Sequence, residues 1–439
     1  MRLGLCGLLV CVGLSVSTNS IRADEWPQWR GPNRDGVWRE TGIVDEFDSG
    51  QITPRWRQPI GAGYSGPTVA GGRVYVTDRL VEPQQVERIH CFDAASGLPL
   101  WSHVYDCPYE IGYQAGPRAA VTIDHGAAFA LGAMGHLHCL DAATGRVRWL
   151  RDLNAEYRIA ATKRMPIWGI AAAPLIFENL VIVPIGAGAG ASIVALDKST
   201  GATVWQALDD RAQYSAPILI RQAEQNVLVC WTGDGVVGLA PRDGKLFWRV
   251  DMTPRNMPIG IATPVVDDNR LFVTSFYDGS LLLKLRQDEP AVETLWRRVG
   301  RDERSTDALH SIISTPLFSG RTIYGVDSYG ELRCLDAATG DRLWEDLTAT
   351  PRNRWSNIHF VRHGERIWMF NEQGELIIST LSAQGFHEIS RAKLIEPTTV
   401  QLSGSGRRHG VCWAHPAFAY KHVFIRSDEE ILCASLAAE

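Results

Sequence analysis

The chain is predicted to be all-β, an eight-bladed β-propeller of four-stranded antiparallel blades. Three observations predict it: a tryptophan returning at a near-constant interval, a hairpin element that ends on it, and a small-residue–proline mark ahead of each repeat. Tryptophans stand at Trp56, Trp101, Trp149, Trp205, Trp248, Trp296 and Trp344, with steps of 45, 48, 56, 43, 48 and 48 residues. A period near this length marks a fold built from one supersecondary unit per repeat.

The hairpin element comes first in the argument because its physics is explicit. His90-Cys-Phe-Asp-Ala-Ala-Ser-Gly-Leu-Pro-Leu-Trp101 returns as His138-Cys-Leu-Asp-Ala-Ala-Thr-Gly-Arg-Val-Arg-Trp149. It returns again in Val194–Trp205 and Arg333–Trp344, with a degenerate copy in Leu239–Trp248. A strand ends at Asp, whose carboxylate can hold the N–H groups of the turn. Gly takes the positive φ the turn needs, and a second strand ends in Trp. Cys91, Cys139, Ala195, Cys334 and Cys433 share the slot two residues before the Asp position. That slot therefore wants a small apolar side chain.

The proline mark reads Ser65-Gly-Pro67, Ala115-Gly-Pro117, Ala172-Ala-Pro174, Ser215-Ala-Pro217, Ala262-Thr-Pro264, Ser314-Thr-Pro316 and Ala414-His-Pro416. Asn357-Ile-His359 fills the one missing place. An apolar strand such as Arg73–Thr77, Leu180–Val183 or Arg270–Thr274 follows, so each unit holds about four short strands, one blade. Eight marks are present, yet the last unit runs out before a closing Trp, and Trp56 has no blade ahead of it. Joining the two resolves both: the N-terminal strand around Trp56 completes the C-terminal blade and closes the ring, hiding both sheet edges. Other propeller repeats of similar length fit poorly, since Asp never follows the closing Trp and only Gly71-Gly72 makes a Gly-Gly pair.

Residues 1–23 read as an export leader: a positive start at Arg2, an apolar run from Leu3 to Val16, then polar residues up to Ala23. The apolar run is short for a bilayer span and no second one follows, so the expectation is an exported protein, periplasmic or secreted, with residues 24–439 forming the propeller. The cysteines preceding the run's end have no small residue before them, which disfavours lipidation. A net charge of −5 gives no general attraction to nucleic acid. Of nine cysteines, seven lie beyond the leader, an odd number that rules out a fully paired disulfide set.

The Ala/Cys-x-Asp-x-x-Thr-Gly-x-x-x-Trp element resembles the pyrroloquinoline-quinone-type (PQQ-type) repeat of quinoprotein dehydrogenases. The same repeat builds the propeller lipoprotein of the outer-membrane β-barrel assembly machine. The opening Glu25-Trp-Pro-Gln-Trp-Arg-Gly-Pro-Asn-Arg-Asp-Gly36 is similar to the start of secreted planctomycete proteins with this repeat. The resemblance covers nearly all of the mature chain, and in the family the closing Trp packs between blades. It implies three functions. One is a non-catalytic binding or scaffolding module for a protein partner or small anionic ligand. The others are a PQQ-dependent oxidoreductase using PQQ with calcium, and an outer-membrane assembly factor. The dehydrogenases carry a vicinal Cys-Cys, and this sequence has no adjacent cysteines.

Residues just before the inner strands should rim a central funnel, and they are rich in arginine and aromatics. Tyr64, Tyr113, Arg118, Trp168, Arg211, Tyr214, Arg354, Trp355, Arg408 and Trp413 form the candidate ligand-binding set, with Arg255, Arg407 and His409 nearby. Such a ring suits a planar anion through bidentate arginine contacts and stacking. Solvated loop arginines and ring-covered blade ends account for the same composition. His136-Leu-His138 places two imidazoles on one side of a strand, and His90 repeats the His138 position without an acidic partner nearby in sequence. His310, His359, His409 and His415 align near the funnel. Asp209-Asp210 and Asp302-Glu303 with Asp307 are acid clusters, of a kind also common in solvated loops. No Ser/His/Asp order of a nucleophilic triad is visible. Gly186-Ala-Gly-Ala-Gly-Ala191 has no helix after it to cap a phosphate. It is expected to widen a blade turn and to account for the 56-residue step.

Overall fold

A computed structural model describes residues 25–113, 116–401 and 409–438. The leader, Ala115, Arg407 and Arg408 therefore lie outside the described residues. Eight four-stranded antiparallel sheets account for all 32 strands among the described residues. Seven are continuous in sequence, and six of these begin at the proline or Asn357 mark, as in Thr68–Ala70, Leu175–Phe177 and Ile358–His363. Blade 2 instead begins at Thr122, beyond Pro117, with Ala119-Ala120-Val121 in the place of the mark. We number the blades 1 to 8 from these marks. In blade 8 the strands Ala417–Ala419, His422–Arg426 and Glu430–Ser435 are completed by Pro54–Pro59 as the outermost strand. Trp56 lies opposite Cys433, the innermost strand of blade 8 contacts that of blade 1, and the ring is closed.

The repeat builds a latch between neighbouring blades. The carboxylates of Asp93, Asp141, Asp197 and Asp336 accept N–H groups of their own turns. The turn glycines Gly97, Gly145, Gly201, Gly244 and Gly340 all have φ between +72° and +77°. Each lies under the closing Trp of the preceding blade, so that a Cβ on Gly97 would meet the Trp56 ring at 2.5 Å. The indole N–H then donates to a backbone carbonyl beside that turn: Trp56 to Ala94 at 2.9 Å, Trp101 to Ala142 at 3.1 Å, Trp149 to Lys198 at 3.0 Å, Trp205 to Pro241 at 3.1 Å. Trp296 and Trp344 do likewise onto Ala337 and Ser382. A flat side chain fills the wedge between diverging blades and satisfies its one donor there.

The small slot has the same origin. Cys91, Cys139, Ala195, Cys334 and Cys433 sit directly opposite Trp101, Trp149, Trp205, Trp344 and Trp56. In blade 4 the slot holds Gly238, where a Cβ would lie 2.2 Å from the Trp248 ring. All seven described cysteines are free and buried.

One expectation needs correcting. The 56-residue step comes chiefly from a connection with no counterpart among the described residues, the short helix Leu153–Tyr157 and the turns that follow it before blade 3. Asp152 caps this helix through Ala155 N–H. The Gly-rich run does sit in a blade turn, between Leu180–Pro184 and Ile193–Asp197.

Candidate functional site

The N-terminal segment crosses one end of the central channel, an arrangement the repeat pattern does not encode. Trp26 exchanges backbone bonds with Val69 of blade 1, Pro27 accepts from Ile123 of blade 2, and Trp38 N–H donates to Arg362 of blade 7. The buried Arg34 guanidinium donates to the carbonyls of Ala173, Pro174 and Pro217 in blades 3 and 4, and burial lowers its pKa to about 9. Trp29 hangs at the centre of this crossing. Its indole N–H donates to Thr263 Oγ1 of blade 5 at 2.8 Å, its ring stands edge-on to His415 at 4.5 Å, and it packs on Ala120, Ala173 and Ala216. Two of these alanines, Ala173 and Ala216, come from proline marks, and Ala120 holds the same place in blade 2; together they leave the room that Trp29 occupies.

Aromatic side chains close the other end. Trp168 precedes blade 3 and Trp355 precedes blade 7, on opposite sides of the ring, yet their ring centroids are only 5.4 Å apart. Tyr113 lies 5.5 Å from Trp355 and 5.9 Å from Trp168. Tyr214 joins Trp168 at 5.1 Å, and Tyr64 stacks on Trp413 at 5.9 Å. Between this aromatic cover and Trp29 lies a cavity of about 130 Å³, walled by alanines, isoleucines, His359, His415 and Arg118.

Seven of the ten predicted residues thus meet around one cavity: Tyr64, Tyr113, Arg118, Trp168, Tyr214, Trp355 and Trp413. Arg211 does not; it pairs with Asp234 at 2.6 Å. Arg354 lies over the Trp355 ring but is gripped by both oxygens of Glu303, at 3.0 and 2.9 Å. Arg255 donates to Gly300 O, and His409 is exposed. His359 and His415 do reach the cavity, whereas His310 is buried between Gly300 N–H and Phe276 O. The acid clusters are ion-paired or turn-capping: Asp210 with Arg249, Asp307 with Arg298, Asp302 on the N–H of Ser305. Trp29 was missed because nothing in its own sequence neighbourhood says that it faces blade 5.

The electrostatics of the cavity have one sign. Arg118 donates to the carbonyls of Gly112, Tyr113 and Gly116 and lies 5.0 Å from the Tyr64 ring centroid. Among the described residues no carboxylate is within ion-pair distance of it, and burial lowers its pKa. Tyr113 and Tyr64 are held protonated by burial. Buried atoms without a protein partner gather at this lining: Tyr64 Oη, Trp355 Nε1, Trp413 Nε1 and His415 Nε2. Burial lowers His359 to about 4 and His415 to about 3, so both imidazoles are neutral at pH 7. The lining therefore offers one cation and the unpaired donors Tyr64 Oη, Trp355 Nε1 and Trp413 Nε1, while neutral His415, whose Nδ1–H faces Pro416 O, presents Nε2 as an acceptor. Among the described residues it holds no Asp, Glu, Asn or Gln. Calcium requires six to eight oxygen ligands, carboxylates foremost. The residues here do not provide them.

The family model described as outer membrane protein assembly factor BamB (PQQ_2) matches residues 85–346 and 191–405. The chain belongs to this PQQ-type repeat family. BamB from Moraxella catarrhalis is 19% identical with a TM-score of 0.56, over 88% of this chain and 98% of that one. Quinohemoprotein alcohol dehydrogenase from Comamonas testosteroni is 13% identical with a TM-score of 0.61, over 96% and 82%. The quinohemoprotein alcohol dehydrogenase ADHIIG from Pseudomonas putida HK5 is 12% identical with a TM-score of 0.60, over 95% and 81%. A comparison with curated proteins found no match. At these identities the structural likeness establishes the propeller, and the chemistry of the funnel has to be read from the chain's own residues. No described helix is long and apolar enough to cross a membrane.

Proposed function

We propose that the chain is an exported binding module whose central cavity takes a small planar carboxylate without reacting with it. The observation that carries this reading is an Arg118 with no carboxylate of its own, set among the unpaired donors Tyr64 Oη, Trp355 Nε1 and Trp413 Nε1. A buried donor left without an acceptor costs ~1–3 kcal/mol, so such atoms gathered at one lining favour an acceptor arriving from outside. Size selects further. An apolar cavity of ~150 Å³ accepts one benzene ring, and this one is about 130 Å³. A single-ring carboxylate matches it, whereas a three-ring quinone requires the aromatic cover to part. With no oxygen ligands for calcium in the lining, the quinone-dependent reading has less support. Removal of residues 1–23 on export belongs to the same proposal.

The test uses the tryptophans themselves, since Trp29, Trp168, Trp355 and Trp413 all border the cavity. Benzoate is expected to change their fluorescence saturably, and Arg118→Gln to weaken binding by ~10–100-fold, the loss of a hydrogen-bonded charge contact. Binding of equal strength in the variant, or none by wild type, overturns the proposal. The family match favours a second role, docking to a protein partner as an assembly factor. Co-purification with outer-membrane barrel components tests it.

A further inference from the structure

Blade 1 carries a chemistry the central cavity does not use. His90 lies directly across from Ser102 on the outermost strand, and its Nδ1 is 2.7 Å from Ser102 Oγ. The other ring nitrogen, Nε2, is 3.1 Å from Asp78 Oδ1, off hydrogen-bond alignment, and has no other protein partner. Asp78 is fully buried and fixed by Arg88, whose Nε donates to it at 2.8 Å, and by the N–H of Gly61. Burial pushes the Asp78 carboxyl up, but the contacts from His90, Arg88 and Gly61 outweigh it and keep the group ionised. His90 is almost buried, whereas Ser102 is exposed. The order Asp78, His90, Ser102 had escaped the sequence because each residue sits on a different strand. The acidic partner of His90 was missed for the same reason.

We propose that Ser102 is a nucleophile with His90 as its general base and Asp78 as the positioning carboxylate, acting on small apolar esters. An exposed hydroxyl hydrogen-bonded to an imidazole that in turn faces a buried carboxylate is the arrangement that activates serine. Contacts of this kind are commonly loose until substrate binds. Alternate side chains share a face of a strand, which puts Val104 beside Ser102, and Leu100, in the β-bulge ahead of Trp101, is also exposed; the two are 52% and 46% exposed. They offer an apolar contact to an acyl group. As the outermost strand of its sheet, Pro99–Asp106 leaves alternate backbone N–H groups without a ladder partner, the donor type an oxyanion needs.

Blade 6 supplies the comparison that makes this more than a polar ladder. Its equivalent positions, by register, hold Asp327, Arg333 and Glu345, joined by ion pairs of 2.9 and 2.9 Å. A ladder of fixed charges thus serves the fold at this place. Blade 1 alone, of these two, replaces it with an acid, a base and a hydroxyl.

The reaction balances with water. Ser102 Oγ attacks the ester carbonyl while its proton passes to His90 Nδ1. The C–O bond breaks, and the alkoxide leaves with that proton as the alcohol. Water then attacks the acyl-serine, His90 takes its proton and returns it to Ser102 Oγ, and the carboxylic acid departs.

The test is labelling of the folded protein with a fluorophosphonate, followed by peptide mass mapping, alongside hydrolysis of p-nitrophenyl butyrate. Ser102 is expected to be labelled well ahead of the exposed Ser49, Ser102→Ala to lose both signals, and His90→Gln to lower the rate by at least ~10²-fold. Asp78→Asn is expected to shift the pH profile of labelling. Should His90→Gln fold poorly, Ser102→Cys gives an independent reading. Its thiol is expected to alkylate faster at pH 6 than a free thiol, because His90 withdraws the proton. Labelling of Ser102 no faster than Ser49, hydrolysis that survives Ser102→Ala, or an unactivated thiol overturns the proposal.

Discussion

Ring closure rests on Trp56, and replacing it with alanine measures how much. Trp56 is 8% exposed, its ring lies on Gly97 of blade 1, and its N–H donates to Ala94 O at 2.9 Å. Trp205, in the continuous part of the ring, has the same exposure, the same partner type and a bond of 3.1 Å. Truncating a buried Trp removes ~3–5 kcal/mol, about 1 kcal/mol of it the hydrogen bond. At ~2.1 cal/mol/K per residue, a chain of 439 residues unfolds with an entropy of about 0.9 kcal/mol/K, so ~4 kcal/mol lowers Tm by roughly 4 °C. Differential scanning calorimetry of Trp56→Ala and Trp205→Ala should therefore show similar losses. A Trp56→Ala protein melting with wild type, while Trp205→Ala falls, would refute the claim that the two chain ends share one cooperative blade.

The remaining predictions concern protons, space and thiols. His359 and His415 are depressed to about 4 and about 3 by burial, against ~6.5 in the unfolded chain. The unfolded state therefore binds more protons, and stability, fully present above about pH 6.5, is lost as pH falls towards 4. A Tm measured across that window should drop, and His415→Gln should flatten the slope. Gly238→Ala sets a methyl 2.2 Å from the Trp248 ring and should cost ~1–3 kcal/mol by overpacking, read as a shift in the urea midpoint. The buried cysteines, with Cys139 and Cys334 pushed up to about 11, should not react with a disulfide reagent at pH 8 until the chain is unfolded.

The parts of the fold that repeat were the parts legible in the sequence. A slot that must be small, a turn that must be glycine and a wedge that must be filled recur because the geometry recurs, so Cys139, Gly145 and Trp149 announce one another. The closing strand was legible by subtraction, from an orphan Trp56 and an unfinished last blade. What was not legible occurs once. Arg34 reaches three carbonyls in two distant blades, and Trp29 reaches Thr263 across 234 positions. At the candidate cavity, position ahead of an inner strand was a sufficient signal for Trp168 and Trp355. It failed for Arg211 and Arg354, whose reach lets them turn to Asp234 and Glu303 instead.

Trp248 breaks the sequence of latches. Its N–H goes to Gln222 of its own blade, and Gln222 Nε2 carries the link on to Ala291 O of blade 5 at 2.6 Å, beside apolar side chains such as Val229, Leu271 and Val273. Because Pro54–Pro59 and the last three strands share blade 8, the blades follow a circular order with no structurally necessary first one. Splicing the two ends and recutting the chain in the connection between blades 4 and 5 would keep every sheet whole, and would move the polypeptide's start to a boundary where the indole reaches its neighbour only through Gln222.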